Sequence, residues 1–186
     1  MLLNQAQVRA YHSMGHKVMS YANPQGGREM PEKYRRNYGL ELWRRGLDGA
    51  CTYAYQHSLG HGWDDFDGGP GWPLRDHNMA YPTVSGVIPT LQWEGYREGY
   101  DDLRYMATLE NLIEEYKRQD SPPGEAARAA QMWLMALDPS DPRLDPSELD
   151  QILDETRARI IEQIQTLRQT IPLTDSGLVQ DRGASR

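Results

Sequence analysis

The stretch "YGLELWRRGLDGACTYAY" (Tyr38–Tyr55) decides how the first third of this chain folds. Trp43 continues a helical stripe begun by Tyr34, Tyr38 and Leu42, over a helix expected from Glu32 to Arg45. Pro31 suits the first turn of that helix, and Gly46 stops it. "LDG" then turns the chain into a strand, Ala50–Tyr55. Upstream, residues 3–14 read as a helix ended by Gly15, and Lys17–Ala22 as a short strand halted by Asn23-Pro24. The order helix, strand, helix, strand is the rhythm of a parallel α/β sheet, against an α+β hairpin arrangement as the alternative. Strands 17–22 and 50–55 are therefore expected side by side and parallel, linked by the helix near 31–45.

Downstream lies "TYAYQHSLGHGWDDFDGGPGW" (Thr52–Trp72), opening a segment rich in glycine and proline that reaches Pro89. Such a composition predicts loop rather than regular structure. Loops of this length are functional or disordered, and the aromatics Trp63, Phe66, Trp72 and Tyr81 argue against disorder. Thr90 is an N-cap for a long helix, "DSPPGE" breaks it, and Ser121-Pro122 restarts a shorter one over Glu125–Leu137. "DPSDPRLDP" is a linker. Asp145, Pro146 and Glu148 form a start signal for a last helix whose apolar face runs Leu149, Ile152, Leu153, Ile160, Ile164, Leu167, Ile171. The division expected is 1–119, 120–173 as trailing helices, and a disordered tail over 174–186.

Composition removes several classes. The chain has 186 residues, 20 basic against 27 acidic, and a net charge of -7, which does not advertise a nucleic-acid surface. Mean hydropathy is -0.78, and no apolar run approaches the ~20 residues of a membrane span. Cys51 is the only cysteine, so no internal disulfide and no thiolate metal site are expected. "GGPG" is too irregular for a phosphate loop. His57 and His61 with Asp64 have zinc-ligand types, but Gly60 and Gly62 argue against the helix that such spacing needs, so no metal and no cofactor are expected.

Two parallel strands with one crossover cannot bury both faces of a sheet. Either a missing barrel segment or self-association is expected to cover the open edge.

Three stretches carry a resemblance. "YGLELWRRGLDGACTYAY" is similar to a Trp-bearing helix, Gly-x-Asp-Gly turn and aromatic final strand; "DHNMAYPT" (Asp76–Thr83) to a loop motif ending in Tyr-Pro; and "EGYREGYDDLRYMATL" (Glu94–Leu109) to an Arg-x-Gly-x-x-Asp-x-x-Tyr helix, here Arg97, Gly99, Asp102 and Tyr105. In that order they resemble the C-terminal segment of the catalytic (β/α) barrel of glycoside hydrolase family 123-like proteins. The likeness covers Val18 to Leu109. It implies an α/β fold with the last two strand-helix units of a (β/α) barrel, followed by C-terminal helices. It also implies a parent acting on N-acetylgalactosamine glycosides, secreted or in the cell envelope.

The resemblance puts the long loop on the C-terminal face of the barrel, where barrel enzymes bind substrate. Aromatic faces stack on a sugar while acids and amides take its hydroxyls. The residues expected to contact carbohydrate are Tyr21, Asn23, Tyr55, His57, Trp63, Asp64, Asp65, Trp72, Asp76 and Tyr81. Departures are clear: the tryptophan after the last strand is delayed to Trp63, and no segment matches the family's catalytic acid pair. Asp64-Asp65 is an unsuitable substitute, because glycoside hydrolysis needs two carboxyls ~5–9 Å apart across one bond. Alternatives are a non-catalytic glycan-binding module, or a helical region that docks a partner or dimerises through its Leu/Ile stripe.

Overall fold

The computed structural model describes residues 4–21, 29–68, 75–138 and 146–171. Helix α1, Gln5–Ser13, starts on an Asn4–Gln7 capping box, and Gly15 follows it at φ 82. Strand β1 is Met19–Tyr21. Helix α2, Pro31–Tyr38, and helix α3, Leu40–Arg45, lead to Gly46 at φ 72, a left-handed stop that a side chain would resist. Strand β2, Gly49–Cys51, pairs parallel with β1, Met19 facing Gly49 and Tyr21 facing Cys51. Asp48 fixes this register. Its carboxylate accepts from the Val18 amide at 2.8 Å, from Lys17 and from His12, while its own amide donates to the Val18 carbonyl. The expected parallel pair and its helical crossover are present.

The single helix expected over 32–45 is two. The break falls at Gly39, and its cause lies in helix α4, Leu91–Tyr116. A Cβ on Gly39 would stand 2.8 Å from the Gly99 carbonyl oxygen, and one on Gly95 would stand 2.2 Å from that of Pro31. The α2 and α4 backbones approach so closely that only hydrogen fits between them.

Helix α5, Pro122–Ala136, begins on the Ser121 hydroxyl, at the Ser121-Pro122 restart read from sequence. A short 3-10 turn, Pro146–Glu148, precedes helix α6, Leu149–Thr170. The expected cap Asp145 and the tail 174–186 lie outside the described residues. Helices α4, α5 and α6 enclose the main core, where Leu40, Met106, Leu109, Ala127, Ala130, Leu153 and Ile160 are buried. Each large apolar side chain so buried contributes about 1.5–3 kcal/mol. Most of the α6 stripe lies inside the chain: Leu149, Leu153, Ile160, Ile164 and Leu167 are all buried in this core. At its edge Asp102, 0% exposed, accepts from Arg35 on α2 at 2.9 Å and from Arg157 on α6 at 2.5 Å. Burial works against the charge of each arginine, and the hydrogen bonds to acids overcome it, so both are held above their ordinary values. Asp102, itself on α4, thus ties α2 and α6 together.

Two expectations about strands are corrected. The second strand ends at Cys51, and Tyr53 to His57 do not prolong it; Gln56–His57 is a separate strand, β3. The segment up to Pro89 is also not all loop. It holds β4, His77–Asn78, β5, Ala80–Thr83, and β6, Gly86–Pro89, in two small antiparallel pairs. Pro82 and Pro89 are tolerated because a two-stranded hairpin is all edge. The fold is mixed α and β, and no barrel is closed among the described residues. Among them no helix is long and apolar enough to cross a membrane.

Candidate functional site

The segment from β3 to β6 stands on the start of α4. The Thr90 hydroxyl donates to the Met79 carbonyl at 2.8 Å, and the buried Gln92 amide donates to the Asn78 carbonyl at 2.9 Å. Strand β3 pairs antiparallel with β4, Gln56 facing Asn78 and His57 facing His77. The Met79 amide continues this pairing by donating to the Tyr55 carbonyl.

Asp65 organises the segment. It is 6% exposed, and its carboxylate accepts from Arg75 through Nη2 at 2.6 Å and Nε at 3.1 Å, from the Tyr81 hydroxyl at 2.7 Å, and from the Asn78 amide at 3.3 Å. Arg75 also pairs with Glu29 at 2.8 Å and lies over the Phe66 ring. Burial opposes the Arg75 charge, but the bonds to Glu29 and Asp65 raise its pKa. Burial and the bond to Asp65 push the Tyr81 phenol up to about 12, so it stays a donor. On Tyr81 lies Trp63, ring centroids 5.4 Å apart and planes 21° from parallel. Trp63 remains 52% exposed, so the stack leaves indole surface open to solvent. The chain Arg75–Asp65–Tyr81–Trp63 makes a flat aromatic surface on a pinned support.

The remaining candidates divide by exposure. Tyr21 and Tyr55 are exposed, and Tyr55 meets Trp93 edge-on at 5.9 Å. Asp64 is exposed and its Oδ1 accepts from the Phe66 amide at 3.1 Å, an Asx turn that shapes the approach to Asp65. Asp67 accepts from the His61 amide at 2.6 Å. Asp76 is 1% exposed; Oδ1 accepts from the Leu59 amide at 3.2 Å, while Oδ2 is buried without a hydrogen-bond partner. His57 is half-buried, its Nδ1 also without a partner, and its ring forms a cluster with Tyr53 at 5.3 Å and His77 at 6.3 Å. Asn23 and Trp72 lie outside the described residues. Thus Trp63, Asp65 and Tyr81 come together as one unit, His57 sits on the neighbouring β3–β4 pair, and Tyr21 ends the separate β1–β2 pair.

Sequence reading does not identify Arg75, Asn78, Tyr53 or His77 as parts of this site. The available signal is the mixture of charged and buried residues in "RDHNMAY" (Arg75–Tyr81), where Asp76 to Ala80 are all buried. Among the described residues no group of three or more His, Cys, Asp or Glu could hold a metal ion. Comparison with known protein families and with curated proteins finds no match for this chain.

Proposed function

We propose that this chain is the C-terminal, sugar-binding part of a carbohydrate-active, glycoside hydrolase-like protein, arranged as the last two strand-helix units of a partial (β/α) barrel. The observation that carries this reading is the Trp63–Tyr81 stack, held by the bond from Tyr81 to the buried Asp65. Sugars present an apolar C–H face to such a ring, and fixing the ring beforehand avoids part of the ordering cost of binding. Asp64, with one oxygen turned to the backbone, offers its remaining acceptor capacity to sugar hydroxyls. The parallel β1–β2 pair and its crossover suit a barrel segment, and the outer edges of that pair suit further strands.

The loop carboxylates chiefly organise protein groups: Asp65 holds Arg75 and Tyr81, and Asp64 and Asp67 cap turns. This favours recognition without hydrolysis by this chain alone, with N-acetylgalactosaminides as the sugar class to try first. The same use of acids supports a second reading, a non-catalytic glycan-binding module.

NMR titration with N-acetylgalactosamine tests both. Binding in the millimolar range is expected, about -4 kcal/mol, with the shifts centred on Trp63. Trp63→Ala should abolish it at a cost in stability of about 1–2 kcal/mol for the lost stack on Tyr81, which leaves the fold intact. Unchanged binding in Trp63→Ala makes the ring a packing residue and removes the proposal. Turnover of an aryl N-acetylgalactosaminide that disappears in Asp64→Asn moves catalysis into the loop.

A further inference from the structure

A cleft of about 540 Å³ lies between α1, α3, α4 and α5. That volume is in the range of small-molecule sites. It is separate from the Trp63 surface: Glu110 on its wall is 17 positions along α4 from Trp93, about 25 Å at the helical rise. Its floor includes Ile113 and Leu134, both nearly fully buried, with the exposed Met135 at its rim. Its aromatic wall is Trp43, whose indole Nε1 donates to Glu110 Oε1 at 2.7 Å.

The charges around the cleft are unequal in their partners. Arg44 faces Asp138 at 4.0 Å, and Glu114 pairs with Lys117. Among the described residues no lysine or arginine pairs with Glu110; its one hydrogen-bond partner is the neutral indole. The cleft therefore brings together an uncompensated carboxylate, a tryptophan ring and an apolar floor. A carboxylate favours a cationic donor, a tryptophan face attracts cations more than other side chains do, and the floor takes hydrocarbon. The net charge of -7 adds a long-range attraction of the same sign.

We infer that this cleft binds an organic ammonium cation with an apolar body, its nitrogen at Glu110 beside Trp43 and its hydrocarbon on Ile113 and Leu134. The site is independent of the sugar-binding proposal.

Three probes of one shape test the inference: phenethylamine, its neutral counterpart phenylethanol and its anionic counterpart phenylacetate. Their binding is followed by the Trp43 indole N–H and Met135 methyl resonances. The amine is expected to bind about tenfold more tightly than the alcohol, and the carboxylate most weakly. Glu110→Gln keeps an oxygen for the Trp43 indole and removes only the charge, so it should reduce the amine to the level of the alcohol. Glu110 is exposed, and an unchanged thermal melt shows that the variant remains folded. The amine's advantage should also shrink as salt is raised. Absence of a saturable shift with the amine overturns the inference. So does equal binding of amine and alcohol, or an amine affinity that Glu110→Gln leaves intact.

Discussion

The helical core and the β3–β6 segment place their polar groups in opposite ways. In the α4–α5–α6 core, apolar side chains fill the space and one carboxylate, Asp102, sits between two arginines at its edge. In the β3–β6 segment the buried set is largely polar: Asp65, Asp76, His77 and Asn78, joined by Met79 and Ala80. The first region coheres through area removed from water. The second coheres through directed hydrogen bonds, which fix geometry but contribute only about 0.5–1.5 kcal/mol each. A surface for a ligand gains from that second kind of order, because Trp63 can stay in solvent while its support stays fixed.

Breaking the clamp should give the largest loss. Asp102→Ala leaves Arg35, 5% exposed, and Arg157 facing each other without the acid, and should cost about 3–5 kcal/mol in urea unfolding. A loss below about 1 kcal/mol would mean that the arginines' other acids, Asp150, Asp154 and Glu98, suffice to hold α2 to α6. Next comes Leu153→Ala, 1% exposed in the wild type, at about 2–5 kcal/mol, with all helices melting together.

The contrast sharpens with Asp65→Ala. It removes the acceptor shared by Arg75, Tyr81 and Asn78, leaves Arg75 to Glu29 alone, and should cost about 1–3 kcal/mol. The loss should be local: amide exchange should quicken between Gln56 and Tyr81, and Trp63 emission should shift, while α4 and α6 amides keep their protection. Uniformly faster exchange would show that the two regions unfold as one.

The smallest effect is at alkaline pH. The Tyr81 phenol, raised from 10.0 to about 12, favours folding in its neutral form. Its contribution is complete below pH 10 and disappears as pH climbs through about 12. Ultraviolet titration of wild type against Tyr81→Phe should isolate one late-ionising tyrosine; a group titrating at the ordinary value would mean that the bond to Asp65 is not kept in solution.

What the sequence makes legible is what depends on near neighbours. Gly15, Gly46, Thr90 and Ser121 mark helix ends because capping involves only a few adjacent residues. The turn at "LDG" is legible in the same way, but the grip of Asp48 on His12, Lys17 and Val18 is not, because those partners lie 30 or more positions away. The break at Gly39 is illegible because it comes from Gly99, far along the chain. The β5–β6 pair is hidden because Pro82 and Pro89 signal loop, and the β3–β4 pair because each strand is only two residues long and its partner lies about 20 positions away. Asp64 and Asp65 look alike in sequence; one points to solvent and the other inward because Arg75, Asn78 and Tyr81 arrive later to receive it. Trp63 is readable as an exposed aromatic, its support is not.

The glycine crossing also sets an order of events during synthesis. The α2 segment leaves the ribosome about sixty residues ahead of the part of α4 that it must touch, a delay of about 3–12 s at ordinary elongation rates. Throughout that interval Tyr34 and Tyr38, later buried, have no α4 to cover them, and β1 and β2 lack the helix that backs their crossover. The nascent N-terminal third therefore keeps these side chains uncovered until α4 emerges, and α4 closes it by backbone contact that tolerates no methyl group. A ribosome stalled before residue 91 should hold this third open to protease, and one stalled well past residue 116 should not.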